Sequence, residues 1–213
     1  MIKAIIFDKD GVLVDSEYAN IQSATEAFEQ LGIHITDEDK KQIIGKHPDD
    51  YIVYFQTKYL FPVEEFKTLR RPIYNRIFEN APLFDDAISL VKSIKSSHLF
   101  LALTTSGGNK NTNDFLQKIK LDQVFDALVT KEMCSKRKPD PQPYLITAEE
   151  LHVLPDECVV IEDSWVGLTA AKAAGMKCVV IPNDYTKDND FSSADLIVKS
   201  AKEITVAIIK GLS

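Results

Sequence analysis

This chain of 213 residues has few cysteines, one tryptophan and no excess of positive charge. Its three cysteines, Cys134, Cys158 and Cys178, are odd in number and far apart, so they predict reduced thiols and not a disulfide framework or a zinc cluster. The formal net charge is −7, and no stretch forms a basic stripe that would attract a polyanion. Because nucleic-acid phosphates would be repelled, we expect no nucleic-acid partner.

Long apolar runs are absent as well. No run approaches the roughly 20 residues that a membrane-spanning helix needs, and the amino terminus enters a strand pattern without a basic region or a small-residue cleavage site. We therefore expect a cytoplasmic protein with no membrane attachment. A hydrophobic content of 45% and a charged content of 27% are typical of a globular protein, and we expect a monomer in which one domain carries an insertion.

Six short apolar runs predict the strands of a parallel sheet. Continuous apolar runs of this length are typical of strands that are buried on both faces. The runs lie at 4–7, 99–103, 125–129, 158–161, 177–181 and 196–198, and helical patterns lie between them at 85–95, 111–119, 141–151 and 167–174. Strands that alternate with helices in this way predict an α/β fold with helices on both faces of the sheet.

The segment from residue 17 to about residue 80 breaks this alternation. Ile21, Ala24, Phe28 and Leu31 fall on one face of a helix, and further helical patterns lie at 37–44, 49–59 and 63–78. No strand pattern is convincing there. The sequence therefore predicts an all-helical insertion after the first strand.

An acidic motif follows the first strand directly. Residues two apart lie on the same side of a strand, so Asp8 and Asp10 are expected to converge at its end. Two crowded carboxylates repel each other unless a cation compensates them, and Mg²⁺ binds such groups together with phosphate oxygens and water. An ordinary acidic turn, in which Gly11 supplies a positive φ, explains the same motif when it is taken alone.

Three further segments place suitable polar groups after or between strands. Thr104 and Thr105 open a stretch whose hydroxyls and flexible amides can donate to phosphate oxygens. Lys138 lies just before a predicted helix, and Glu162 and Asp163 follow the fourth strand. In open α/β sheets, ligands bind at the carboxyl ends of the strands. Together these residues indicate a site for phosphoryl transfer.

These segments resemble the haloacid dehalogenase superfamily of phosphotransferases, in the branch similar to β-phosphoglucomutase and phosphoglycolate phosphatase. Its four motifs occur in order along essentially the whole chain, and the segment from Glu162 through Gly167 to the small residues at 170–175 is the most specific. The resemblance implies a Rossmann-like catalytic core at 1–14 and 83–213, with an inserted helical cap domain at 15–82. It also implies Mg²⁺ as the cofactor.

The same resemblance implies a role for each motif residue. Asp8 matches the nucleophile that becomes an aspartyl phosphate, and Asp10 matches the general acid and base. Thr104 matches the hydroxyl that holds the phosphoryl group, with the backbone of Thr105 as a helper, and Lys138 matches the lysine that pairs with both nucleophile and phosphate. Such a set fits a reaction that needs mainly positioning and charge neutralisation.

The expected metal ligands are a carboxylate oxygen of Asp8, the backbone carbonyl of Asp10, and Asp163, with Glu162 binding directly or through water. Within the cap, the loop residues Gly45, Lys46 and His47 are candidates for contact with the substrate. Solvated charges are, however, also normal on helix surfaces.

Lys9 departs from the apolar residue that is common between the two aspartates in close relatives. A side chain at this position is expected to point away from Asp8 and Asp10 and to reach solvent, with no catalytic role.

The predicted function is a Mg²⁺-dependent phosphatase that hydrolyses a small phosphate monoester. A sugar-phosphate mutase with the same core is an alternative, although Pro48 stands where the mutase pattern has an arginine, and Ala19 or Asn20 stands where it has a histidine. A phosphorylatable signalling or scaffold domain without turnover is a third interpretation.

Overall fold

The computed structural model describes residues 1–212. Its strands are β1 Ala4–Phe7, β2 Phe100–Thr104, β3 Ala127–Val129, β4 Cys158–Glu162, β5 Lys177–Val180 and β6 Leu196–Ile197. They form one sheet in the order β3-β2-β1-β4-β5-β6, and every neighbouring pair is parallel. The predicted α/β fold with a Rossmann-like sheet is therefore confirmed.

Helices connect the strands and fill the insertion. The first group is α1 Ser16–Gln30, α2 Asp37–Lys41, α3 Pro48–Lys58 and α4 Val63–Phe78, and the second is α5 Asp85–Lys95, α6 Asn109–Lys118, α7 Gln142–Glu150, α8 Trp165–Ala173 and α9 Val206–Gly211. Helix α8 begins two residues before the predicted start because Ser164 caps it, accepting a hydrogen bond from the Gly167 amide. Helix α9 was not predicted from the sequence.

The register of the central strands determines where the polar residues lie. Phe7, the last residue of β1, is paired with Leu103 of β2 and with Ile161 of β4. The next residues along these chains therefore reach the same level at the carboxyl edge of the sheet. Asp8 is among them, and its amide donates to the Ile161 carbonyl at 2.9 Å.

Apolar packing makes this edge rigid. All four residues of β1 and all five of β4 are buried, as expected for central strands that are covered on both faces. One buried cluster joins β1 and β4 to helices α7 and α8 through Ile6, Val160, Tyr144, Leu168 and their neighbours. Because the loops that follow these strands are anchored to a well-packed sheet, the side chains at the strand ends are held in defined positions.

The chain separates into two compact units, Met1–Leu13 with Phe84–Ser213, and Val14–Leu83. The assignment of the first unit to catalysis and of the second to a cap remains a prediction. No helix in the described part of the chain is both long enough and apolar enough to span a bilayer. Cys134, Cys158 and Cys178 are free thiols.

The interior of the helical unit contains stacked aromatic rings. The ring centroid of Phe28 lies 4.6 Å from that of Phe55, 5.1 Å from that of Phe61 and 4.3 Å from that of Phe66. Phe28 lies on the helical face that the sequence pattern predicted, and that face is buried within α1. Aromatic pairs at such distances add to the stability that burial of the rings provides.

A buried aspartate also contributes to this unit. Asp39 in α2 is fully buried, and its carboxylate accepts hydrogen bonds from the Thr36 amide and hydroxyl, the Tyr54 hydroxyl, the Lys58 ammonium and the Tyr59 hydroxyl. Burial alone would raise the pKa of Asp39, but these donors hold it well below its usual value.

Candidate active site

The loop after β1 places Asp8 at the carboxyl edge of the sheet. The side chain is buried, and its Oδ1 atom lies 2.6 Å from the Lys138 Nζ atom. Gly11 in the same loop has a φ of +81°, and a Cβ atom there would lie 2.2 Å from Asp163 Oδ2. Only glycine fits this close approach, which brings the acidic loop against the end of β4.

Lys138 joins two of the acidic motifs. Its Nζ atom lies 2.6 Å from Asp8 Oδ1 and 2.8 Å from Glu162 Oε1, and it stands 4.5 Å from the centre of the Tyr144 ring. Burial opposes the charged form, but the carboxylates of Asp8 and Glu162 raise the pKa of Lys138 above its usual value. The two carboxylates therefore favour a positive charge on Lys138 beside Asp8.

Glu162 is held by a dense set of donors. Its Oε1 atom accepts hydrogen bonds from Lys138 and from the Tyr144 hydroxyl, and its Oε2 atom accepts from the Asp163 amide and from the amide and hydroxyl of Ser164. A Cβ atom at Gly167 would lie 1.7 Å from Glu162 Oε1, so glycine is required where α8 begins. Burial would raise the pKa of Glu162, but Lys138 and these donors lower it.

Asp163 has much less support. Its Oδ2 atom accepts one side-chain hydrogen bond, at 2.8 Å from the amide of Asn183, which follows β5. Burial and the nearby carboxylates of Glu162 and Asp8 raise the pKa of Asp163 well above its usual value. Its charged form is thus poorly compensated by the protein alone.

The charged form of Asp8 is also poorly compensated by the protein. Burial raises the pKa of Asp8 to about 7, with Glu162 and Asp10 adding to the increase and Lys138 opposing it. The region contains more negative than positive groups, with the carboxylates of Asp8, Asp10, Glu162 and Asp163 facing the ammonium groups of Lys138 and Lys9. Two negative charges remain unbalanced when all of these groups are ionised.

The donor set fits a hard divalent cation. Asp8, Glu162 and Asp163 each offer one oxygen, and these atoms all lie within 4.8 Å of one another. Carboxylate oxygens are the ligands that Mg²⁺ and Ca²⁺ prefer, and a doubly positive ion would balance the excess charge. Asp10 does not belong to this group, because its side chain is directed to Thr105 and Lys9.

The two threonines after β2 differ in orientation. The Thr105 hydroxyl donates to Asp10 Oδ2 at 3.0 Å and accepts from the Gly107 amide at 2.9 Å. The Thr104 side chain is fully buried, and its hydroxyl shares a hydrogen bond of 2.6 Å with the hydroxyl of Thr147 in α7. The structure therefore contradicts the prediction that Thr104 presents its hydroxyl to the site; the hydroxyl of Thr105 contacts Asp10 there instead.

The prediction for Lys9 is also wrong. The side chain is buried instead of reaching solvent, and its Nζ atom lies 3.3 Å from Asp10 Oδ2. The error came from extending strand alternation beyond Phe7, where β1 ends. In the turn that follows, the Leu13 amide donates to the Lys9 carbonyl, and the lysine packs near the Phe115 ring of α6.

The three cap-loop candidates lie together in the helical unit. Gly45 has a φ of +69° and donates its amide to the Glu17 carboxylate at 3.1 Å. The Lys46 ammonium contacts the Gln42 amide oxygen at 3.0 Å, and the His47 Nδ1 atom accepts from the Asp49 amide at the start of α3. All three residues are exposed, and contact with the substrate stays a prediction.

Sequence reasoning missed three supporting residues. Tyr144 and Thr147 lie on α7, three residues apart, and contact Glu162 and Thr104. Both belong to a helix whose pattern predicted only packing. Asn183 follows the fifth strand, and its position at a strand end is the one signal that could have identified it.

Several known proteins are similar to this chain. A family model for haloacid dehalogenase-like hydrolases matches residues 5–181. The Bacillus subtilis protein YhcW is 32% identical over 213 residues, which covers 98% of this chain and 96% of that protein. A phosphorylated carbohydrates phosphatase of Thermotoga maritima is 30% identical over 182 residues and covers 83% of each chain. The crystal structure of a β-phosphoglucomutase from Clostridium difficile superposes with a TM-score of 0.82 at 25% identity, covering 100% of this chain and 97% of that one.

Proposed function

Because the chain belongs to the haloacid dehalogenase-like hydrolase family, we propose that it is a Mg²⁺-dependent phosphatase that hydrolyses a small phosphate monoester through an aspartyl phosphate. The observation that carries this proposal is the position of Asp8. Its buried carboxylate contacts Lys138 at 2.6 Å, and one of its oxygens lies within 4.8 Å of carboxylate oxygens of Glu162 and Asp163, an arrangement that supports cation binding. We further propose that residues 15–82 serve as a cap for a catalytic core at 1–14 and 83–213.

In the first half-reaction, a carboxylate oxygen of Asp8 forms a bond to phosphorus as the bond from phosphorus to the leaving oxygen breaks. Asp10 gives its proton to that oxygen, and an alcohol departs. Lys138 lies next to the nucleophile and supplies positive charge for the phosphoryl oxygens. The Thr105 hydroxyl donates to Asp10 and its amide donates to the Val129 carbonyl at 3.0 Å, so the remaining amides of the loop that follows are the groups we assign to positioning the phosphoryl group.

In the second half-reaction, Asp10 takes a proton from water as the water oxygen forms a bond to phosphorus. The bond between phosphorus and the Asp8 oxygen then breaks, which returns the free carboxylate and releases inorganic phosphate. Mg²⁺, held by Asp8 and Asp163 with Glu162 and the Asp10 carbonyl, would supply the charge neutralisation that phosphoryl transfer requires.

The name of the Thermotoga maritima relative supports a phosphorylated carbohydrate as the substrate class. The β-phosphoglucomutase relative keeps the mutase as a second candidate. Two features of the helical unit favour the phosphatase. Pro48, the first residue of α3, stands where the mutase pattern has an arginine, and it has no side-chain donor that could hold a second phosphate. Asn20 is one of the two residues at the position of the mutase histidine, and both ends of its side-chain amide are already hydrogen-bonded, to Glu17 and to Arg70.

The test is a screen of phosphate esters with and without Mg²⁺, in which free phosphate and isomerised product are both measured. The screen includes 4-nitrophenyl phosphate, sugar phosphates, and β-glucose 1-phosphate with a trace of its 1,6-bisphosphate. We expect Mg²⁺-dependent phosphate release that exceeds isomerisation. Faster isomerisation would favour the mutase, and a single phosphorylation of Asp8 without turnover would favour the signalling domain. Equal hydrolysis with and without Mg²⁺ would contradict the metal assignment.

A further inference from the structure

Lys9 is a buried cation that the proposed reaction does not use. Its side chain is 4% exposed, and its Nζ atom forms an ion pair with Asp10 Oδ2 at 3.3 Å. Removing an ammonium group from water is costly unless a charged partner compensates it. An apolar side chain of similar length would be buried at a lower cost in free energy. A buried lysine at this position therefore indicates a role for its charge.

Both contacts to the Asp10 carboxylate involve the same oxygen. The Thr105 hydroxyl donates to Oδ2 at 3.0 Å, and the Lys9 ammonium lies beside the same atom. Among the described residues, no donor contacts Oδ1. The carboxylate is thus held by one oxygen, and the other remains available to a substrate.

The two donors are themselves fixed by the loop after β2. The Gly107 amide donates to the Thr105 hydroxyl at 2.9 Å. A Cβ atom at Gly107 would lie 3.1 Å from both Lys9 Nζ and Thr105 Oγ1, so the glycine backbone packs against both groups. Lys9, Thr105 and Gly107 therefore form a closely packed support on one side of Asp10.

We propose that Lys9 is a positioning residue for Asp10: together with Thr105 it holds Oδ2, so that Oδ1 is the atom that exchanges protons. This inference rests on the proposed function, in which Asp10 is the general acid and base. Oδ1 gives its proton to the leaving oxygen as the ester bond breaks, and it receives a proton from water as the phosphoenzyme is hydrolysed. A carboxylate that rotates freely would present Oδ1 in the productive direction less often.

The inference predicts an effect that depends on the leaving group. Lys9→Met keeps the length of the side chain and removes its charge. Phosphoenzyme formation is measured by rapid quench with two esters. The phenol that leaves phenyl phosphate is a poor leaving group and needs the proton from Asp10. The 4-nitrophenol that leaves 4-nitrophenyl phosphate is a good leaving group and needs that proton much less. We expect the variant to slow phosphoenzyme formation about tenfold with phenyl phosphate and less than about twofold with 4-nitrophenyl phosphate, because mispositioning Asp10 forfeits only part of the roughly 10²-fold to 10⁴-fold that general acid catalysis contributes.

Two further variants separate positioning from general damage. Thr105→Val removes the other contact to Oδ2 and is expected to show the same leaving-group dependence. In the double variant the two effects should be smaller than their sum, since both act on one atom. Lys172→Met is the matched control, because Lys172 pairs with Asp195 at 2.6 Å outside the acidic cluster and should leave both rates unchanged.

Asp10→Asn distinguishes failure of this inference from failure of the proposed function. If Asp10→Asn slows both esters equally, the role of Asp10 is wrong. If Asp10→Asn shows the leaving-group dependence but Lys9→Met slows both esters equally or neither, the role of Lys9 is overturned. Should Lys9→Met fail to fold, Lys9→Gln and Thr105→Val are judged by the slowing with phenyl phosphate relative to the slowing with 4-nitrophenyl phosphate. An equal effect of Thr105→Val on both esters would also overturn the proposal.

Discussion

Asp39 in the helical unit and Asp163 in the unit that contains the sheet are both buried, but their surroundings are opposite. Five hydrogen bonds reach the carboxylate of Asp39 and hold its pKa well below the usual value. Within residues 1–212, one hydrogen bond reaches the carboxylate of Asp163, and burial among other carboxylates raises its pKa. A buried charge that is fully hydrogen-bonded stabilises a fold, whereas one that is not is suited to binding a cation.

This comparison assigns the two regions different functions. In the acidic cluster, Asp8 and Asp163 are costly for the fold and suited to chemistry, because their negative charge is poorly compensated by the protein and Asp8, the proposed nucleophile, is held beside Lys138. The Asp39 network is useful for the fold and has no predicted part in chemistry. Substitutions in the two regions should therefore separate activity from stability.

The largest expected effect is the loss of activity in Asp8→Asn. Removing the nucleophile should lower kcat by about 10⁴-fold or more, as is typical when covalent catalysis is lost. The variant should remain at least as stable as the wild type, because the burial that raises the pKa of Asp8 opposes its charged form. Phosphate release and thermal unfolding test the two halves of this prediction. A variant that unfolds at a much lower temperature would contradict the contrast with Asp39.

Asp39→Asn should show the reverse pattern. The amide keeps the shape of the side chain but cannot accept all of the hydrogen bonds that the carboxylate accepts, so we expect a loss of about 2 kcal/mol in the free energy of unfolding. Urea denaturation measures this loss, and phosphatase activity at 25 °C should be nearly unchanged. Asp37→Asn, two residues earlier on an exposed surface, is the matched control and should have little effect.

Asn183→Leu tests how far the single hydrogen bond to Asp163 orients the cation site. Because residues that hold a metal ligand typically affect metal affinity by about 10-fold to 100-fold, we expect Mg²⁺ binding to weaken about tenfold. Calorimetric titration measures the affinity directly, without reliance on turnover. Asn189→Leu, in the same loop, is the control. Unchanged affinity in Asn183→Leu would show that Asp163 needs no such support.

The smallest effect is a dependence of stability on pH. The folded-state pKa of Asp39 lies below its usual value of 3.8, so the stability that Asp39 contributes is fully present above that value and is lost as the pH falls below it. The difference in unfolding free energy between wild type and Asp39→Asn should therefore be constant from pH 7 to about pH 5 and should shrink below about pH 4. A difference that does not change over this range would contradict the assignment.

Most of the fold could be predicted because the apolar runs are short and uniform. The runs at 4–7 and 158–161 correspond to β1 and β4, and the helical patterns at 85–95 and 63–78 correspond to α5 and α4. Helix α9 has only six residues, which is too few to show a helical period. The predicted helix at 37–44 is shorter in the structure, where α2 ends at Lys41.

The errors at the site arise where strand ends and tertiary contacts decide which way a side chain faces. Sequence patterns identify which residues follow a strand, but a shift of one residue reverses the side that a side chain faces. Thr104, the last residue of β2, is directed to Thr147, and Thr105 reaches Asp10 instead. Lys9 likewise lies beyond the end of β1, where alternation no longer applies. Asn183 and Tyr144 come close to the acidic cluster only through the fold.

Calorimetric titration of Mg²⁺ measures directly whether the poorly compensated carboxylates of the sheet unit bind a divalent cation. Wild type, Asp163→Asn and Asp39→Asn are compared at the same pH and ionic strength, with each variant shown to be folded. We expect one Mg²⁺ site in the wild type, its loss in Asp163→Asn and its retention in Asp39→Asn. Undiminished Mg²⁺ binding in Asp163→Asn would contradict this expectation.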